Sequence, residues 1–222
     1  MIAPAVHALS SLYVLARVFT CAPQPPPEVD LQFQEAPPVI INNKSARELG
    51  NFKSDTVFSH GANEVFTTGG LTFSKISSGF RFGYKTLTDP ESGQGCIWLD
   101  KISLTVEYAP KVYIASGFRP GSCRYGVTAT HEQRHVDTDV VTLHEYVPRV
   151  KQAVADAASS LGAQGPADKN GVARARDLFG SVLRTEMEKQ LKEMERVRMM
   201  RQQAIDTRQE YLRLSKLCPG ER

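Results

Sequence analysis

Two histidines four residues apart, with a glutamate directly after the first, form the pattern in this chain that points to a specific chemistry: His131-Glu132-Gln133-Arg134-His135. On a helix, residues four apart share a face one turn apart, so both imidazoles can reach one metal ion. Glu132 is turned about 100° from His131. It can approach a metal-activated water as general base without becoming a ligand. The expected chemistry is zinc-assisted hydrolysis, with His131 and His135 as ligands and Glu132 as base. A solvated helix face that carries two histidines by chance is the plainer alternative.

The surroundings support a helix. Val136, Val140, Leu143, Val147, Val150 and Val154 recur every three or four residues, the stripe of an amphipathic helix. By helical arithmetic the stripe centres roughly 140° from His131. His131, His135, Thr138, Asp139 and Thr142 then share a separate polar face, as the lining of a metal cleft would. Arg134 fits least well, because it puts a charge between the histidines. It is expected to project outward or to pair with Asp137 or Asp139.

A catalytic zinc needs a third protein ligand. His144 falls on the opposite side of a continuous helix. Asp139 lies about 12 Å along the axis from His131. A carboxylate from a second, antiparallel helix is the better source. The candidates are Glu210 first, then Asp206 and Glu195.

Those helices must be held by something, and the residues before them read as strands. Leu31-Gln32-Phe33, Val39-Ile40-Ile41, Phe66-Thr67-Thr68, Leu71-Thr72-Phe73 and 80–84 have strand character. The longest candidate spans 97–108 and is ended by Ala109-Pro110, with a further strand over 111–116. Gly69-Gly70, Asp89-Pro90 and Pro120-Gly121 supply turns. Pro148 should kink or split the first helix. Residues 161–170 form a loop, and a second long helix runs from about 172 to 217, its stripe passing through Leu183, Met187, Leu191, Met194, Val197 and Ile205. The expected fold class is α+β: a mainly antiparallel sheet followed by a long two-helix hairpin whose first helix carries the motif.

Composition sets the outer bounds. The chain has 222 residues, 41% of them hydrophobic and 23% charged, which suits one globular domain. The net charge of +3, with Lys and Arg interleaved among acids, argues against nucleic acid. Residues 2–20 are largely apolar and signal-like, and 23–27 (PQPPP) reads as a stiff linker. Residues 1–28 are therefore set apart from a single domain over 29–222. The four cysteines, Cys21, Cys96, Cys123 and Cys218, fit two disulfides in an oxidising compartment, with Cys96–Cys123 as the first pair. Four buried free thiols are the alternative. Cys21 is also a candidate membrane tether. The localisation expected is exported, in the periplasm or at the cell envelope.

The stretch 96–146 resembles a group of exported bacterial zinc peptidases. The residues that carry the likeness are Pro110-Lys111-Val112-Tyr113-Ile114-Ala115, Gly121-Ser122-Cys123 and Thr130-His131-Glu132-Gln133-Arg134-His135-Val136-Asp137. A weaker match lies in Arg201-Gln202-Gln203-Ala204-Ile205-Asp206-Thr207. The resemblance covers about a third of the chain. It implies a zincin-like site with His131 and His135 as ligands and Glu132 as base, and it leaves the third ligand open. By analogy with zincins, 111–116 would be an edge strand to which an extended peptide adds; an interior strand is the alternative. Tyr125 and Tyr211 are candidate donors to a developing oxyanion, or packing tyrosines.

The function expected is that of a zinc-dependent hydrolase, a peptidase acting on a peptide or protein. The competing reading is a non-catalytic exported binding module with a structural or vestigial metal site.

Overall fold

The computed structural model describes residues 18–52 and 68–221. In chain order the elements are β1 (Glu28–Glu35), β2 (Val39–Lys44), α1 (Ala46–Leu49), β3 (Gly70–Thr88), β4 (Gly95–Ala115), α2 (Cys123–Leu161), β5 (Gln164–Ala167), α3 (Lys169–Ile205) and α4 (Arg208–Lys216). The architecture is mixed helix and sheet, and β4 is the strand on which the sheet is built. β3 and β5 pair with it antiparallel, β1 and β2 parallel. The sheet is therefore mixed rather than mainly antiparallel. The reason is topological: β1 and β2 lie end to end along one edge of β4. The long connection from β2 back to β4 lets both strands run in its direction.

Alternation along β4 directs one face inward. Ile102, Leu104, Val106, Tyr108, Val112 and Ile114 are all buried, while Lys101, Glu107 and Lys111 are exposed. Two apolar clusters cover that face. One joins Ile97, Leu99, Ile102 and Leu104 to Val150 and Val154 of α2 and Phe179 and Leu183 of α3. The other joins Val106, Tyr108, Val112 and Ile114 to Val136, Leu143 and Val147 of α2 and Met194 of α3. Each fully buried Val, Leu or Phe contributes roughly 1.5–3 kcal/mol of transfer free energy.

Several local expectations are corrected. Pro110 does not end a strand, and 97–108 and 111–115 belong to the single strand β4, with Ser116 just beyond it. β1 ends opposite Tyr108 and β2 starts opposite Lys111. Tyr108 turns its carbonyl to the β1 side, where it accepts from Ala36 N. Pro110, two residues on, turns its nitrogen to that same side, in the gap between the end of β1 and the start of β2. Residues 111–115 are interior, flanked by β2 and β3, so they offer no free edge. Phe73 and Phe80 belong to one strand, β3. Gly70 begins that strand and makes no turn. Phe66 and Thr67 lie outside the described residues.

α2 is continuous through Pro148. The proline is exposed, so the missing hydrogen bond falls on the solvent side, where water can serve the freed carbonyl of His144. The second long helix is interrupted. α3 ends at Ile205, and Thr207 caps a separate helix, α4, by accepting from Glu210 N at 3.2 Å.

The disulfides are Cys21–Cys96 and Cys123–Cys218, not Cys96–Cys123. Cys96 is the second residue of β4 and Cys123 starts α2, beyond the other end of the strand. An extended strand of that length spans roughly 60 Å, too far for a bridge. The Cys21 bond also fastens the segment before the proline run to the sheet, so that segment is joined to the fold. It occupies the sulfur proposed for a membrane tether. Residues 1–17 of the signal-like segment lie outside the described residues. No described helix is long and apolar enough to cross a membrane. Two disulfides are compatible with export.

Candidate metal centre

α2 starts at Cys123, with Ser122 as N-cap accepting from Tyr125 N at 3.2 Å. The motif therefore lies two to three turns inside a helix. α3 returns antiparallel beside it. Asp139 meets Arg198, His135 meets Gln202 and His131 meets Asp206, each step of four on α2 matched by a step of four on α3. The polar face of α2 is thus a buried seam rather than an open wall. His131, Glu132, His135 and Asp206 are only 4–7% exposed.

Three atoms converge at the end of this seam. His131 Nε2 lies 3.1 Å and His135 Nε2 3.3 Å from Asp206 Oδ1, and the two nitrogens are 3.3 Å apart. His131, His135 and Asp206 form a group able to hold a metal ion. Asp206, the second candidate by sequence, takes the place that was expected first for Glu210. Glu195 is elsewhere, half-buried on α3 and paired with Arg198 at 2.9 Å.

Hydrogen bonds on the far side of each ring set which nitrogen is free. Gln202 Nε2 donates to His135 O at 2.9 Å and to Asp139 Oδ1 at 2.5 Å, which fixes its amide orientation. Its Oε1 must then accept from His135 Nδ1–H. Glu210 Oε1 lies 3.4 Å from His131 Nδ1. The hydrogen bonds from Arg213, with the charge of Arg134 and the bond from His131, hold Glu210 at about 2 against the effect of burial. As an ionised carboxylate it can only accept, so His131 Nδ1 carries the proton. Both Nε2 atoms are left as lone pairs aimed at each other and at a carboxylate oxygen. Three acceptors that converge this closely repel one another unless a proton or a metal ion sits among them. On a tetrahedral zinc with bonds of about 2.0–2.1 Å, ligand atoms lie about 3.3–3.4 Å apart, which the observed spacings fit.

Asp139, Arg198 and Gln202, which support the cluster, are as buried as its members. Asp139 is fully buried and takes Arg198 Nε at 2.7 Å, Tyr108 Oη at 3.3 Å and a hydrogen bond from Ser74. It is an anchor for Gln202 and Arg198, not a ligand. Tyr211 Oη donates to Asp206 Oδ1 at 3.1 Å and its ring lies 5.8 Å from that of His131. Tyr125 packs on the second apolar cluster instead. Arg134 does not meet Asp137 or Asp139; it binds Glu210 at 2.5 Å from the outside. His144 is on the opposite side of α2, 3.3 Å from Glu35.

Glu132 is turned from the ligand cluster toward β3. Thr72 Oγ1 donates to its Oε2 at 2.8 Å. Burial raises its affinity for a proton, while the charges of His135 and His131 and the Thr72 hydrogen bond oppose the rise. A carboxyl poised above its ordinary range is suited to accept a proton near neutrality. For His135, burial pulls the imidazolium down, but the hydrogen bond and charge of Asp206 and the charge of Glu132 outweigh it and its affinity for a proton is raised.

Arg198 and Gln202 were not legible as site residues in the sequence. The available signal was the α3 stripe itself, apolar from Leu183 to Met194 and polar at Arg198, Gln202 and Asp206. No family model matches this chain, and neither a curated protein nor a solved structure matches it. The likeness of 96–146 to exported zinc peptidases therefore rests on its motif residues alone.

Proposed function

We propose that the chain is a zinc-dependent hydrolase that cleaves amide bonds in extended peptides. One observation carries the reading: two imidazole lone pairs and one carboxylate oxygen converge at 3.1–3.3 Å, with both rings locked in the tautomer that a metal requires. Two neutral imidazoles and a carboxylate suit zinc, and three protein ligands leave a position open, as catalytic sites do. Zinc bound there would polarise a carbonyl and make water a stronger acid.

The chain's own residues have distinct roles in this reading. His131, His135 and Asp206 bind the ion. Gln202 and Glu210 orient the two rings. Glu132 takes a proton from the attacking water and passes it to the leaving nitrogen. Thr72 holds the Glu132 carboxyl in place. Among the described residues β3 pairs only with β4, so the other edge of Gly70–Ser74 is the one available beside Glu132. A peptide that adds there would be held by its main chain.

The test is metal analysis and peptidase assay of the purified protein beside Glu132→Gln and His135→Ala. Wild type is expected to hold one zinc per chain, Glu132→Gln to keep the zinc and lose hydrolysis, and His135→Ala to lose both. Wild type free of zinc after a chelator-free preparation would sink the proposal. The burial of the site favours a second reading, a structural ion in a non-catalytic module. It predicts retained zinc, no hydrolysis by any form, and a large loss of stability when the ion is removed.

A further inference from the structure

α4 is fastened to the rest of the protein in an unusual way for an element that reaches a buried site. It contains no buried residue. It leaves α3 through a two-residue break at Asp206 and Thr207. Yet it carries Glu210 and Tyr211, whose side chains hold His131 and Asp206. Just beyond its end, Cys218 is bonded to Cys123, the first residue of α2. Glu221 completes the attachment by accepting from the free backbone N–H groups of Cys123 and Arg124, each at 3.0 Å. The same helix end therefore bears the metal motif and, two turns earlier, the clasp for α4.

The position of the bond makes it reachable. Cys123 is exposed although Cys218 is buried, whereas the other disulfide joins a half-buried Cys21 to a buried Cys96. A thiolate attacks a disulfide at the sulfur it can approach. Here that is Cys123 Sγ. The attack forms a mixed disulfide and releases Cys218 as a thiolate. A second thiol of the reductant resolves the mixed disulfide, so that a dithiol is oxidised to a disulfide while Cys123 and Cys218 gain two electrons and two protons.

We infer that Cys123–Cys218 is a redox latch on the metal site: a dithiol reductant frees α4, and the contacts from Glu210 to His131 and from Tyr211 to Asp206 go with it. The inference rests on the metal reading above and names a regulation of that same site. Outer hydrogen bonds to metal ligands typically govern affinity by about 10- to 100-fold. The reduced protein is expected to bind zinc more weakly by a factor in that range, with affinity restored on reoxidation.

The experiment measures zinc affinity by competition with a chromogenic chelator. It compares the oxidised protein with protein reduced by dithiothreitol, alkylated with iodoacetamide and freed of reagent. Cys123→Ser/Cys218→Ser keeps the other disulfide and isolates this one; it is expected to match the reduced protein. Glu210→Ala/Tyr211→Phe, made with both disulfides intact, removes the contacts without opening the latch and is expected to weaken binding by a similar factor. If the serine variant loses its circular dichroism, this second variant decides, and a change under about twofold overturns the latch. Equal affinity in the two redox states overturns the latch and leaves the metal reading standing. Failure of the oxidised protein to bind zinc overturns both.

Discussion

Gly70 lies directly against the side chain of Glu132. A Cβ at position 70 would stand 2.8 Å from Glu132 Cγ and 2.6 Å from Thr128 Cγ2, and would run into the carboxyl oxygen Oε1. The first residue of β3 is therefore a glycine for lack of room. Gly70→Ala should push the proposed base from its position and lower stability by about 1–3 kcal/mol, the usual cost of overpacking. Urea denaturation and metal analysis together check this: zinc content is expected to stay at the wild-type level while any hydrolysis falls.

The placement of Asp206 and Glu210 gives them different weights. Asp206→Ala removes a converging oxygen and is expected to abolish tight zinc binding. Glu210→Gln keeps all three ligand atoms and should weaken binding by about 10- to 100-fold. Equilibrium competition with a chelator ranks the two. A larger loss for Glu210→Gln would reverse the assignment of the third ligand.

Protons and metal compete for the same imidazole. In the metal-free protein His135 binds a proton more tightly than its ordinary value of 6.5. A raised folded value contributes stability below about 6.5, and that contribution is lost as pH rises through the folded value. The metal needs the neutral ring, so its stabilisation grows over the same interval. The difference in Tm between zinc-loaded and metal-free protein should widen from about pH 6 to pH 8. Paired thermal melts measure it, and a gap that narrows would contradict the ligand role of His135.

Asp139 and Arg198 form a buried ion pair at 2.7 Å, with Arg198 4% exposed. Breaking a buried pair by removing one partner typically costs about 3–5 kcal/mol, because the other charge is left without compensation. Asp139→Ala should therefore unfold at markedly lower urea. It should also weaken zinc binding, since Gln202 loses the acceptor that helps hold its amide toward His135. Full stability in this variant would show that the pair is not the anchor described.

Much of the candidate site was legible in sequence because it is local. The spacing of His131 and His135, the glutamate between them and the apolar stripe from Val136 to Val154 all lie on one helix, where 3.6 residues per turn decides what faces what. The break before α4 had a local signature as well, in Thr207-x-x-Glu210, a helix-start pattern inside what read as one long helix. The pairings were not local. Which carboxylate reaches the histidines depends on how far α3 slides along α2, and the Asp139–Arg198 contact belongs to that register. The cysteine partners depend on the length of β4, which carries Cys96 away from Cys123. Pro110 could remain inside that strand because β1 happens to end beside it. The sequence by itself determined a helix able to present two imidazoles and a carboxylate. Only the tertiary structure brought Asp206 rather than Glu210 against both Nε2 atoms, because the third member of the cluster comes from a neighbouring element whose register is set by packing rather than by periodicity.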